Sequence, residues 1–169
     1  LPGGEGFCVA LHGCLLLGAV AVPVDLRLGA AERAQVAAGT ALVLEEPPVP
    51  AGGWFVDAAE HDLDATAIVV HTSGSTGAPR PVELTYGNQL WNAVGSGVRI
   101  GVAPTDRWLC CLPLHHNGGL AIVLRSALYR TGIVLERFEP QAVKSLLASE
   151  PVSIISLVPT SYPKISTVP

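Results

Sequence analysis

The chain has 169 residues, 49% of them apolar and only 14% charged, with a net charge of −4. That length suits one core-bearing domain or part of a larger one. With no basic cluster and few aromatic residues, a nucleic-acid surface is excluded as an expectation. So apolar a balance, with no methionine at position 1 or anywhere else, suggests a piece of a longer protein.

From the N-terminus, Gly6 to Leu17 reads as a helix apolar nearly all round, hence packed on several sides, and Gly18 suits its end. Ala19 to Val24 follows as a strand, Ala30 to Ala38 as a short helix stopped by Gly39, and Ala41 to Leu44 as another strand. The run from Phe7 to Val24 raises a transmembrane or signal-peptide alternative. His12, Gly13, Gly18 and Pro23 interrupt it, so a buried helix and strand, without membrane insertion, is the expectation. This alternation argues for a parallel α/β layer. Residues 45 to 53 form a Pro-rich loop, and Asp57 to Asp64 a polar, exposed stretch.

Ala67 to Val70 is an apolar run, read as a buried strand, that ends in Thr72, Ser73, Gly74, Ser75, Thr76 and Gly77. Four hydroxyls and two glycines can turn donors inward around a polyanion, and Arg80 adds a positive charge. A flexible Gly/Ser connector is the alternative, but a second strand, Val82 to Thr85, follows at once. A Walker loop is ruled out, since no lysine follows and Pro79 and Pro81 forbid a helix there.

Asn88 can cap a helix to about Ser96, with Trp91 and Val94 on one face. Asp106 to Leu112 reads as a strand, Gly119 to Tyr129 as a helix and Thr131 to Glu136 as a strand. Pro140 to Ser149 is a helix with Pro in its first turn, and Val152 to Val158 a last strand. After it, Pro163, Pro169 and β-branched residues argue against any helix in 161–169. His115 and His116 stand at the end of a strand, where α/β sheets place a ligand crevice. Each could instead bond only nearby backbone, and no third ligand sits at metal-binding spacing. Arg125 lies in an apolar helix and either meets an anion or snorkels to the surface. Cys8, Cys14, Cys110 and Cys111 lack metal-ligand spacing and read as free, buried thiols, which suits a reducing cytoplasm.

The stretch from Thr72 to Arg80 resembles the phosphate loop of the adenylate-forming superfamily, which includes acyl- and aryl-CoA ligases, adenylation domains and luciferases. The family pattern is Thr-Ser-Gly-Ser/Thr-Thr-Gly-x-Pro-Lys-Gly, from which Arg80 and Pro81 depart. Arg80 keeps the charge but not the point-like ammonium, and Pro81 removes a backbone donor. Leu112 to His116 resembles the family's Pro-Leu-aromatic-His segment, with His116 at the histidine and His115 at the aromatic place. The words from Arg80 to Trp91, Leu112 to His116 and Leu124 to Tyr129 look most like o-succinylbenzoate–CoA ligases of menaquinone biosynthesis.

The resemblance implies a layered α/β/α fold with a mostly parallel sheet, part of the family's large N-terminal domain. It divides the chain into an early helix-strand segment (1–46), a loop (47–62), a phosphate-loop and acyl-pocket subdomain (63–160) and a tail outside the pattern (161–169). The implied chemistry is an ATP-dependent acid–CoA ligase, with a small carboxylic acid and CoA as the other substrates; another aryl- or fatty-acyl-CoA ligase is the alternative. Thr72, Ser73, Gly74, Ser75, Thr76, Gly77 and Arg80 would hold ATP phosphates. His115, His116 and Gly118 would border the acid, with His116 the catalytic candidate and Arg125 a partner for a second carboxylate. Mg²⁺ would be held by a glutamate of a segment that this sequence does not contain. The 169 residues alone are therefore expected not to complete adenylation, and exposed sheet edges to favour self-association.

Overall fold

A computed structural model describes residues 1–48, 60–73 and 79–166. The chain forms two compact units, Leu1–Trp91 and Asn92–Pro169.

In the first unit, α1 (Glu5–Leu16) ends where Gly18 takes a φ of 70°. That left-handed turn lets the Ala19 N–H bond the Cys14 carbonyl, satisfying a terminal acceptor. The helix is not packed on several sides. Only Ala10 and Leu11 are buried, while Val9 and Leu16 remain half exposed. α2 (Ala30–Val36) begins with the Glu32 carboxylate accepting the Gly29 N–H, and Gly39, at φ 80°, stands after its end.

The expected strand at Ala19 to Val24 is reduced to a single bridge, Ala21 to Ile68, parallel in sense. Ala41 to Leu44 forms no strand, and Leu42 and Val43 are largely exposed. β-propensity alone did not suffice there, because a strand exists only where a neighbour accepts its main-chain bonds. β1 (Thr66–Ser73) and β2 (Pro79–Thr85), the two strands expected on either side of the loop, pair antiparallel. Ala67, Ile68 and Val70 are buried on β1.

α3 (Tyr86–Ile100) is six residues longer than the expected helix, two at its start and four at its end. Thr85 caps it rather than Asn88. The Thr85 hydroxyl accepts the Asn88 N–H, and the Asn88 side chain reaches back to accept the Thr85 N–H. The reciprocal pair satisfies two donors at the helix start. Tyr86 stacks on His61, 4.3 Å between ring centroids, and its hydroxyl donates to the Leu15 carbonyl. Trp91 is 66% exposed.

The second unit is built on a parallel sheet in the order β4 (Gly132–Leu135), β3 (Arg107–Cys110), β5 (Ile154–Ile155). Between these strands run α4 (Asn117–Tyr129) and α5 (Pro140–Ser149), the helical crossovers that parallel pairing requires. Leu109, Cys111 and Val143 form its buried centre, with Phe138, Ile155 and Ile165 packed against them. Glu139 caps α5 by accepting the Ala142 N–H, and Pro140 sits where no donor is needed.

Contrary to the sequence expectation, a short helix, α6 (Tyr162–Ser166), follows the last strand. Pro163 lies in its first turn, where proline's missing N–H breaks no helical bond, and Ile165 gains a place on the core. No disulfide joins the four cysteines among the described residues. Cys110 and Cys111 are buried, whereas Cys8 and Cys14 are only partly so. No helix among the described residues is long and apolar enough to cross a membrane.

Candidate functional site

β1 and β2 carry the described ends of the Thr72-to-Arg80 stretch. Thr72 stands opposite Arg80 in the ladder, and Ser73 opposite Pro79. Gly74, Ser75, Thr76 and Gly77 lie outside the described residues. The Thr72 hydroxyl and the Arg80 carbonyl are 3.5 Å apart, a long contact that leaves the hydroxyl available to a ligand. Arg80 is exposed and has no carboxylate within ion-pair distance among the described residues.

The two prolines beside Arg80 fit this ladder for a geometric reason. The Val69 N–H and the Ala67 carbonyl are spent on Ala21, on the side of β1 away from β2. Main-chain groups alternate along a strand, so Ile68, Val70 and Thr72 turn theirs toward β2. Their partners Leu84, Val82 and Arg80 face β1, while Pro79 and Pro81 face outward, where no donor is needed. The donor that Pro81 removes is therefore one at the hairpin's outer edge.

A groove of about 810 Å³ lies in the same unit, lined by apolar residues such as Phe7, Leu11, Val22 and Val36. His71 borders it, and its Nδ1 is buried without a hydrogen-bond partner among the described residues.

In the second unit, the chain leaves β3 through Leu112, Pro113 and Leu114 and enters α4 at His116. His116 is the N-cap, with an extended backbone and no capping bond from its side chain, so its imidazole is free to face a ligand. The His115 and His116 rings are 4.2 Å apart and tilted by 55°. His116 is exposed and His115 half-buried. Gly119 holds this corner together, because a Cβ on it would lie 2.5 Å from the Pro113 carbonyl oxygen. Gly118, beside it, is exposed.

Arg125 lies nine residues along α4 from His116, about 13 Å of axial rise. It is half-buried, and it meets no carboxylate among the described residues. Its Nε donates to the Ala121 carbonyl, one terminal nitrogen to Ser96 at 2.8 Å, and the other weakly to Asn92 at 3.4 Å. The guanidinium lies 4.5 Å from the centroid of Trp108, whose own N–H bonds Ser156. Burial lowers the Arg125 pKa from its ordinary value. An anion beside it would offset that burial.

The sequence reading missed Trp108, Asn92, Ser96 and Gly119. Asn92 and Ser96 carried a signal, since they are polar and four apart on α3, hence on one face. Trp108 carried none, because its contact with Arg125 joins a strand to a helix. Thr72, Ser73 and Arg80 belong to the first unit, and His115, His116, Gly118 and Arg125 to the second. No cluster of three or more His, Cys, Asp or Glu residues that could hold a metal occurs among the described residues.

Comparison with known proteins bears on this geometry. The family model for AMP-binding enzymes matches residues 38–167. A 2-succinylbenzoate–CoA ligase of Bacillus velezensis is 35% identical over 174 aligned positions, covering 89% of this chain and 36% of that protein. A feruloyl-CoA synthase of Amycolatopsis is 32% identical, covering 99% of this chain and 39% of that protein. Among solved structures, o-succinylbenzoate CoA synthetase from Bacillus subtilis in complex with its acyl-adenylate intermediate superposes with a TM-score of 0.85. Identity there is 29%, over 97% of this chain and 38% of that one. The chain thus spans well under half the length of the curated relatives it matches.

Proposed function

The chain belongs to the AMP-binding enzyme family, and from that premise we propose that it carries the phosphate loop and acid-binding segment of an ATP-dependent acid–CoA ligase. The acid is o-succinylbenzoate and the setting cytoplasmic menaquinone biosynthesis. The reading is supported by the Thr72–Arg80 pairing, in which a hydroxyl and a cation with no carboxylate in reach among the described residues stand opposite one another near the ends of β1 and β2.

In this reading the substrate carboxylate attacks the α-phosphorus of ATP, forming an acyl–phosphate bond and releasing pyrophosphate. The thiol sulfur of CoA then attacks the acyl carbon, and AMP leaves. Negative charge grows on the departing pyrophosphate in the first step, so fixed donors around it lower the barrier. Thr72 through Gly77 supply donors and Arg80 supplies charge. His116, with its side chain unspent at the start of α4, orients the carboxylate; His115 and Gly118 border the acid. Magnesium is expected to accompany ATP, and none of these residues is assigned to it.

Arg125 separates this reading from its rival. O-succinylbenzoate has a second carboxylate, and a half-buried guanidinium held in place by neutral groups is suited to receive one. The second reading, an aryl-CoA ligase for a monocarboxylate, is favoured by the likeness to the feruloyl-CoA synthase along almost the whole chain. Titration with ATP and pyrophosphate, followed by calorimetry, tests the common part, with ATP–pyrophosphate exchange run alongside. Saturable binding that Arg80→Ala weakens is the expected result. Exchange is read on the full-length enzyme, where binding without it leaves a nucleotide-binding module; no saturable binding rejects the phosphate site.

A further inference from the structure

Within the second unit, the part of α3 from Asn92 onward meets α4 at two levels, one helical turn apart. At the first, Arg125 reaches Ser96 and Asn92. At the second, the Tyr129 hydroxyl donates to the Ala93 carbonyl at 2.9 Å. The Tyr129 ring lies over Gly97, where an added Cβ would stand 2.7 Å from its Cζ. Residues four apart share a helix face, so Arg125 and Tyr129 are neighbours on α4, as Asn92 and Ser96 are on α3. Tyr129 therefore sets how closely the helices approach, and the missing side chain at Gly97 lets that approach be short. The spacing delivers the Ser96 hydroxyl to Arg125 at 2.8 Å.

We propose that Ser96 is a positioning residue for the acid: it fixes the Arg125 guanidinium against the Trp108 ring, in the orientation that receives the second carboxylate. The inference rests on the reading of Arg125 given under Proposed function. A long arginine side chain loses rotamer freedom when a ligand orders it. Here the ordering precedes the ligand. The Ala121 carbonyl holds Nε, the Ser96 hydroxyl holds one terminal nitrogen, and the Trp108 face, 4.5 Å away, sets the plane. Asn92, at 3.4 Å from the other terminal nitrogen, adds little. These partners are neutral oxygens and an aromatic face, so they fix the guanidinium without cancelling the charge that an acid would meet. Among the side chains, Ser96 supplies the short, directed bond.

The test is steady-state kinetics of the full-length enzyme carrying Ser96→Ala, Arg125→Leu or both. Alanine is a better helix former than serine, so Ser96→Ala leaves α3 intact. It raises KM for o-succinylbenzoate about fivefold and leaves KM for ATP where it was. Ser96→Thr, which keeps the hydroxyl, stays near the wild type. In the Arg125→Leu background Ser96→Ala adds nothing, because the group it positions is gone. An unchanged KM for the acid in Ser96→Ala, or the same fivefold rise repeated in the double variant, overturns the proposal and leaves the reading of Arg125 standing on its own single variant. Should Arg125→Leu raise both KM values alike, that reading fails and the role of Ser96 fails with it.

Discussion

Thr72 and Arg80 face each other across the β1–β2 ladder, so one strand register fixes both residues together. The register also explains why Arg80 can sit between two prolines without breaking the ladder. Arg80→Ala should weaken ATP and pyrophosphate binding by about 1.5–3 kcal/mol, roughly ten- to a hundredfold, the worth of a hydrogen bond to a charged group. Arg80→Lys restores the family's own choice and should keep most of the affinity. Calorimetry on both variants checks this, and equal losses would deny the charge its role.

Arg125 is anchored by Ser96 and stacked on Trp108. In the CoA-ligase reaction of the full-length enzyme, Arg125→Leu should raise KM for o-succinylbenzoate far more than KM for ATP. Binding of the dicarboxylate should also perturb Trp108 fluorescence, and ferulate should perturb it less, with Trp108→Phe as the blank. Equal effects on both KM values would assign Arg125 to the packing of α4 alone.

Gly119 has no room for a side chain, because a Cβ there would lie 2.5 and 2.9 Å from the Pro113 and Leu112 carbonyl oxygens. Gly119→Ala must push the His115–His116 corner away from α4. The expected cost is about 1–3 kcal/mol of stability, a Tm lower by several degrees in thermal circular dichroism. Gly95, where an added Cβ would meet nothing within 4 Å, should accept alanine without loss.

Thr85 and Asn88 bond one another reciprocally at the start of α3. Thr85→Ala should cost about 1 kcal/mol in urea unfolding. Because one partner's loss already opens the pair, the double variant with Asn88→Ala should cost less than the two single costs added.

Asp106 accepts the Ala103 N–H and the Ser153 hydroxyl, which hold its carboxyl below its ordinary pKa. A carboxylate whose folded pKa is depressed stabilises the fold above its unfolded value and loses that contribution as pH falls through the folded one. Stability should therefore drop as pH falls below about 4, and the fall should be shallower in Asp106→Asn. Urea midpoints measured across that range decide it, and identical pH profiles would remove Asp106 from the account.

What the residues determined unaided were features settled within a few positions of the chain. Gly18 closes α1 and Pro140 opens α5, because caps and turns act locally. Tertiary structure alone decided which extended runs became strands. Ala41 to Leu44 has the composition of one and found no strand partner among the described residues, while Ala21 kept a single bridge to β1. It also decided that Arg125 rests on Ser96 and Trp108, residues 29 and 17 positions away, and that Ile165 packs into the second unit's core. Main-chain pairing and side-chain contact between distant segments depend on which surfaces folding brings together, and no local pattern carries that information.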